Sequence, residues 1–197
     1  MVRPRTVTDE TLLDAAAAAV AAVGPTALTL AEIGSRVGLS PATLVQRFGS
    51  KRGLLLALAR HSADALPNQL RLAAGAPAPA AALIDSLTSL ADSITTSAQF
   101  ANHLAFLLLD LTDPDFQEVS RIYARGVETA IADVLDAGRA AGELVGESHQ
   151  WTTLPRAVHS AYNGALVTWG MTNDGLPGQH VRDQLNQLLA PHRRAMN

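Results

Sequence analysis

The chain of 197 residues contains no cysteine, which excludes disulfide bonds and thiolate metal sites and fits a reducing compartment. Its longest wholly apolar run, residues 15–23, is about half of the ~20 residues that a membrane-spanning helix needs. The basic start is interrupted by Asp9, Glu10 and Asp14, and no pattern of a secretory signal follows it. We therefore expect a cytoplasmic protein that does not contact the membrane.

The composition favours an all-α protein, because alanine is abundant and runs of β-branched residues are scarce. Charge is distributed unevenly along the chain. Residues 1–60 carry seven basic and four acidic side chains, whereas the remaining residues carry eight basic and fourteen acidic ones. A basic N-terminal segment joined to an acidic body suits the binding of a polyanion, although a difference of this size is equally consistent with scatter.

The N-terminal segment has the start and stop signals of short helices. Thr8 caps a first helix over residues 9–23, which Gly24 and Pro25 end. Thr29-Leu30-Ala31-Glu32 is a capping box, so it predicts the start of a second helix, which ends at Gly38. Ser40 caps a third helix with Pro41 in its first position, and a fourth helix begins at Lys51.

The spacing of the second and third helices predicts a helix-turn-helix. Gly38 supplies the turn residue with positive φ, and Gly34, four residues earlier, is small enough for the two helices to cross closely. Ile33, Leu39 and Leu44 are the apolar side chains that hold this crossing. Taken as geometry alone, such a hairpin is also found in helical bundles that bind no DNA.

This segment resembles the TetR (tetracycline-repressor-like) family of transcriptional regulators over about 50 residues. The resemblance lies in Leu13-Asp14-Ala15-Ala16, Gly24, Thr29–Gly34, Val37–Ser40, Ala42-Thr43-Leu44, Phe48–Lys51 and the leucine-rich residues 53–58. The chain departs from the family pattern at Val45, where an aromatic residue is usual, and at Gly34, where alanine is usual. The resemblance implies a three-helix DNA-binding head over residues 1–57 and a helical body over residues 58–197 that binds a ligand and dimerises.

The predicted DNA-binding residues lie on the third helix and at the starts of its neighbours. Gln46 can pair with adenine in the major groove, and Arg47 can pair with guanine or hold a phosphate. The resemblance implies phosphate contacts by Lys51 and Thr29, and Arg3 and Arg5 form a basic arm that can reach a minor groove. Ordinary surface solvation is the alternative for each residue. The set is Thr29, Ser40, Pro41, Ala42, Thr43, Val45, Gln46, Arg47 and Lys51.

The body is divided into five or six predicted helices by breaks at Pro67, residues 75–79, 112–114, 142–146 and 173–177. A pocket for a small, largely apolar effector is the functional hypothesis for its aromatic and polar residues, and simple core packing is the alternative. The candidate ligand-binding residues are Phe100, His103, Phe106, Tyr123, Tyr162, Asn163 and Trp169.

Segments 154–171 and 180–189 are predicted to form a homodimer interface. The first carries small residues, and the second has an apolar stripe of Val181, Leu185, Leu188 and Leu189. The resemblance implies that both pair with their two-fold mates in a four-helix bundle, whereas core packing within one chain is the alternative. A two-fold dimer would present two recognition helices to a palindromic operator.

No motif of an enzyme is found. The sequence has no glycine-rich phosphate loop, no Gly-x-Ser-x-Gly and no pair of histidines at metal-ligand spacing, so neither a catalytic residue, a metal nor a cofactor is predicted. The hypothesis is a ligand-responsive regulator, most simply a repressor, that binds operator DNA. A regulator controlled by a protein partner without any effector, and a module that has lost DNA binding, are the alternatives.

Overall fold

The structure, a computed structural model, describes residues 7–147 and 150–194, with Asp110 described by its backbone alone. Arg3 and Arg5 of the predicted basic arm lie outside these residues. The described residues form ten α-helices and no β-strand, apart from one isolated bridge between Leu144 and Arg193. The predicted all-α class is therefore confirmed. The helices are α1 (Asp9–Ala27), α2 (Leu30–Val37), α3 (Pro41–Phe48), α4 (Lys51–Ala63), α5 (Ala65–Leu72), α6 (Pro79–Asp92), α7 (Ser97–Thr112), α8 (Pro114–Ala140), α9 (Gln150–Thr172) and α10 (Pro177–Leu189).

The chain divides into two compact units. Unit 1 contains residues 7–63 and 98–121, which are α1 to α4, nearly all of α7 and the first turns of α8. Unit 2 contains residues 64–97 and 122–194, which are α5, α6, the rest of α8, α9 and α10. The predicted domain boundary between residues 57 and 58 falls inside α4 and stays a prediction.

The predicted ends of the first helices of unit 1 are confirmed. Thr8 Oγ1 accepts a hydrogen bond from the Thr11 amide at 3.2 Å, which caps α1. Gly24 interrupts the helical backbone with φ 75° and ψ 161°, so that Pro25–Ala27 form only a short further turn. The core of the unit is formed by fully buried side chains from several helices, among them Leu12, Ala16, Ile33, Leu44 and Leu54.

Helix α7 is attached to α1 by a polar contact. Asn102 Nδ2 donates a hydrogen bond to the carbonyl of Ala21 at 3.0 Å, and this pair is partly buried. Asn102 also lies against Gly24, where the α1 backbone leaves the helical conformation, so that a side chain on Gly24 would require Asn102 to move. The middle of the chain therefore contributes a helix to the same unit as the N-terminal head.

Unit 2 is built on the packing of α10 against α6 and α9. The buried face of α10 consists of Val181, Leu185 and Leu189, all with no exposed surface. Three of the four residues of the apolar stripe on which the interface prediction for segment 180–189 rested are thus core within one chain, and the fourth, Leu188, is half-buried. At the start of α10, Asp92 Oδ1 accepts a hydrogen bond from the Gly178 amide at 2.9 Å and so caps the helix from the end of α6.

Two helix breaks differ from the prediction. The break expected at Pro67 lies at Asp64, between α4 and α5. The reason is that a proline ring clashes with the carbonyl four residues before it, here that of Ala63, so the interruption falls ahead of the proline. A further break over residues 93–96, between α6 and α7, was not predicted, because no glycine or proline marks it.

Candidate nucleic-acid interface

The turn between α2 and α3 sets the angle at which α3 is presented. Gly38 has φ 70° and ψ 29°, a left-handed conformation that glycine adopts without steric cost. The amide of Leu39 donates a hydrogen bond to the Gly34 carbonyl at 2.9 Å. A methyl group on Gly34 would overlap the carbonyl oxygen of Leu39, so the close approach predicted at Gly34 is present and is tighter than alanine allows.

The start of α3 is held by a hydroxyl pair. Ser40 Oγ accepts a hydrogen bond from the Thr43 amide at 3.1 Å and lies 2.9 Å from Thr43 Oγ1. Leu44 is fully buried and anchors the helix, whereas Phe48, four residues later on the same face, is only half-buried. Ser40 and Thr43, both in the predicted DNA-binding set, are therefore also the residues that form the helix cap.

The remaining surface of α3 is exposed to solvent. It consists of Pro41, Ala42, Val45, Gln46 and Arg47. Val45, where the family usually has an aromatic residue, is 45% exposed and adds an apolar point to this face. The Gln46 amide has no hydrogen-bond partner among the residues that the structure describes, so its donor and acceptor remain available to a base edge.

Arg47 makes contacts within the chain. Its Nη1 donates a hydrogen bond to the Val7 carbonyl at 2.9 Å and lies 3.1 Å from Asp9 Oδ1. The guanidinium therefore connects the end of α3 to the start of α1. A guanidinium has five N–H donors, so these contacts leave others for DNA. Its predicted contact with guanine or phosphate stays a prediction.

Lys51 and Thr29 border the same face. Lys51 Nζ donates a hydrogen bond to the Thr26 carbonyl at 2.8 Å, which fixes the start of α4 against the end of α1. Thr29 Oγ1 accepts from the Glu32 amide at 3.2 Å, which confirms half of the predicted capping box. An ammonium group has three donors, so Lys51 can hold Thr26 and a phosphate at the same time.

Sequence reasoning missed Arg52, which is bound by two carboxylates. Its Nε and Nη2 lie 2.7 Å and 2.6 Å from the two oxygens of Asp113, and Nη2 lies 2.7 Å from Asp115 Oδ2. The hydrogen bonds from Arg52 hold the pKa of Asp113 below its usual value. Asp113 also caps α8, since the Asp115 amide donates to Asp113 Oδ1 at 3.0 Å. Nothing in the sequence links positions 61 residues apart.

The candidate ligand-binding residues of unit 1, which are Phe100, His103 and Phe106, have different environments. Phe100 is buried, whereas His103 is exposed. Phe106 packs edge-on against Phe116, with ring centroids 6.1 Å apart, and Phe116 is almost fully buried. The Phe106–Phe116 pair has the environment of a packed aromatic core.

In unit 2, the candidates Tyr123 and Tyr162 lie near each other, and Tyr123 also packs against His159. The rings of Tyr123 and His159 have centroids 6.2 Å apart. Burial raises the pKa of Tyr123. The pKa of Tyr162 is raised mainly by burial and to a lesser extent by the nearby Tyr123. Burial lowers the pKa of His159 and outweighs the opposing effect of Glu128. Around neutral pH, this cluster of Tyr123, His159 and Tyr162 is therefore uncharged.

The other two candidates of unit 2 have different environments. Trp169 is buried, and its indole N–H donates a hydrogen bond to the Gly175 carbonyl at 3.2 Å, so its polar atom is already satisfied. Asn163 is exposed on α9. Their assignment to a ligand site stays a prediction.

Within residues 7–147 and 150–194, no group of three or more metal-ligating side chains comes together. No helix there combines the length and the apolar character that crossing a bilayer requires.

The exposed face predicts different effects for Lys51 and Gln46. Lys51→Ala should weaken binding to all DNA sequences about equally and reduce the salt dependence by about one phosphate contact. Gln46→Ala should instead lower discrimination at one base pair per half-site by ~1–3 kcal/mol, because a bidentate pair with adenine is lost. Titrations of labelled duplexes with single base changes measure both effects. Gln69→Ala, which changes an exposed glutamine of α5, is the control. A changed sequence preference in Lys51→Ala with unchanged preference in Gln46→Ala would contradict these roles.

Comparison with known protein families gives a match at the N-terminal head. Residues 12–58 match the model of bacterial regulatory proteins of the tetR family. A search of curated protein sequences finds no match to the chain.

Solved structures extend the likeness over most of the chain. One of them is SmeT, the repressor of the Stenotrophomonas maltophilia multidrug efflux pump SmeDEF. Its complex with triclosan has a TM-score of 0.72 and 18% identity, with 94% of this chain and 91% of SmeT covered. A TetR transcription regulator from Haloarcula marismortui has a TM-score of 0.79 and 16% identity, with 94% and 98% covered. A transcriptional regulator from Saccharomonospora viridis in complex with choline has a TM-score of 0.73 and 19% identity, with 92% and 95% covered.

These findings agree with the helix-turn-helix geometry of α2 and α3. The structures share the fold of the whole chain, and the family match identifies the head that carries the exposed recognition helix. Residues 12–58 therefore carry the head of bacterial regulatory proteins of the tetR family, and the chain as a whole shares the fold of solved transcriptional regulators of the TetR type.

Proposed function

We propose that the chain is a repressor that binds a palindromic operator as a homodimer in the cytoplasm and is released by a small, largely apolar effector. The observation that carries the proposal is the exposed face of α3, on which Gln46 is free while Leu44 and the Gly34–Leu39 crossing hold the helix in place. A repressor role is supported by SmeT, which is named as the repressor of an efflux pump.

The outward face of α9 supports the homodimer. Asn163, Gly164, Val167 and Met171 are all exposed and recur at helical spacing. Met171 is 82% exposed, and a methyl group added to Gly164 would contact nothing in its own chain. Small and apolar residues on one helix face allow a second helix to approach closely. We therefore assign the interface to this face, with α10 contributing its polar side.

The cluster of Tyr123, His159 and Tyr162 supports the effector site. The structure shows no hydrogen bond from either phenol hydroxyl within the described residues, although Tyr162 is buried. Binding pockets are mainly apolar with a few placed polar groups, and an uncharged cluster suits a ligand without net charge. Two solved structures of the same fold contain small organic molecules, triclosan and choline, and this supports an effector site in the present chain.

A regulator controlled by a protein partner is the second candidate, and one observation favours it. Leu104, Leu107, Leu108 and Leu111 form an apolar stripe at helical spacing on α7, and each is at least 36% exposed. Such a stripe on an otherwise polar surface is typical of an interaction site. An operator complex that responds to no small molecule would favour this alternative.

Operator binding is tested by selection from randomised duplexes. The dimer should enrich an inverted repeat with half-sites about 10 base pairs apart, or a multiple of that, and binding should weaken steeply as salt rises. Val167→Arg should place a charge in the interface and yield monomers with weak operator binding, whereas Ser89→Arg on the exposed side of α6 should not. Selection that never enriches an inverted repeat would contradict the proposal.

Effector release is tested by titrating triclosan, choline and uncharged aromatic compounds into the operator complex. A compound that binds the cluster should weaken operator binding, and operator DNA should weaken its binding by the same factor. Tyr162→Phe should reduce its affinity by about 2- to 13-fold, because one hydrogen bond contributes ~0.5–1.5 kcal/mol. Thr168→Val, which removes an exposed hydroxyl from the same helix, is the control. A compound that binds tightly and leaves operator affinity unchanged would rule out the coupling.

A further inference from the structure

Arg52 lies in the first turn of α4, directly after the predicted phosphate-binding Lys51, and is bound to the junction of α7 and α8. Its guanidinium makes a two-pronged contact with Asp113 at 2.7 Å and 2.6 Å and a third contact with Asp115 at 2.7 Å. Planar two-pronged pairing of this kind is the strongest and most directional ion pair that arginine makes. We call this group the Arg52 clamp.

The acceptor side of the clamp is held in place. Asp113 is the single residue between α7 and α8, and its Oδ1 also accepts the Asp115 amide at 3.0 Å. The guanidinium lies 5.8 Å from the ring centroid of Phe116, a side chain that is almost fully buried. The Asp113 carboxylate is therefore anchored on the backbone at the start of α8, and Arg52 takes the orientation that this carboxylate sets.

The charges of the clamp are unexpected beside a surface that binds a polyanion. Asp113 and Asp115 carry two negative charges close to the start of α4, where phosphate is expected, and like charges repel DNA. If electrostatics alone mattered, removing them would strengthen DNA binding and would free Arg52 for a phosphate. Their presence is explained if the position of α4 contributes more to binding than their repulsion takes away.

We propose that Arg52 is a positioning residue for DNA binding: Asp113 and Asp115 hold it, and through it they fix the start of α4, where Lys51 contacts phosphate. This inference rests on the proposed binding of an operator. The proposal and a direct phosphate contact by Arg52 predict opposite effects of neutralising Asp113 and Asp115 on operator affinity. Neutralising the carboxylates weakens operator binding under this proposal and strengthens it under simple electrostatics.

The test is a double-mutant cycle on operator affinity at fixed salt. Asp113→Asn with Asp115→Asn should weaken binding about tenfold, and Arg52→Ala should weaken it by a similar factor. The triple variant should bind about as well as Arg52→Ala, because groups that act through one another are not additive. Arg60→Ala removes the same charge from the exposed side of the same helix, and its effect should add to that of Asp113→Asn and Asp115→Asn.

Two further measurements separate positioning from contact and from unfolding. Arg52→Ala should leave the slope of log affinity against log salt unchanged, since no phosphate contact is lost. Arg52→Lys keeps the charge but loses the two-pronged geometry, so it should bind more weakly than wild type while circular dichroism shows a folded protein. The folded fraction of each variant, measured by circular dichroism, is used to correct the protein concentration from which its operator affinity is calculated.

The proposal is overturned by tighter operator binding of the Asp113→Asn, Asp115→Asn variant, by a slope reduced by about one phosphate contact in Arg52→Ala, or by unchanged affinity of folded Arg52→Lys. Wild-type protein that binds no operator would instead refute the proposed function. The two failures are therefore distinguishable.

Discussion

The close crossing of α2 and α3 is the constraint on which the rest of the DNA-binding surface depends. The Leu39 amide reaches the Gly34 carbonyl at 2.9 Å, and no side chain atom fits on Gly34 against the Leu39 carbonyl oxygen. This contact sets the direction of α3. Leu44 can then be fully buried while Val45 and Gln46 remain exposed on the outer face. Every proposed base contact follows from that orientation.

Around this crossing, polar contacts fix the neighbouring helices. Lys51 connects the start of α4 to the end of α1, and Arg47 connects the end of α3 to the start of α1. Asn102 joins α7 to α1, and Arg52 joins α4 to the junction of α7 and α8. Most of these side chains are at least partly exposed, so each pair contributes little to stability by itself. Their joint effect is to define positions, which is what the recognition of a regularly spaced phosphate backbone requires.

The sequence predicts the head better than the body, for a physical reason. Helix ends at Gly24, Gly38 and Ser40 depend on local capping and backbone preferences, which a short stretch of sequence contains. The Arg52 clamp joins residues that are far apart in the sequence, and the burial of Val181 and Leu185 depends on which helix packs against α10. An apolar stripe looks the same whether it faces its own chain or a partner, so the interface assigned to α10 from its stripe could not be distinguished from core.

The central claim is that the crossing at Gly34 orients the recognition helix, and Gly34→Ala tests it most directly. The added methyl group should force α2 and α3 apart, destabilise the head by ~1–3 kcal/mol and weaken operator binding at a temperature where the variant is still folded. Ser35→Ala, at the exposed neighbouring position, should change stability by less than ~0.5 kcal/mol and leave operator affinity unchanged. A Gly34→Ala protein with wild-type stability and wild-type operator affinity would contradict the account.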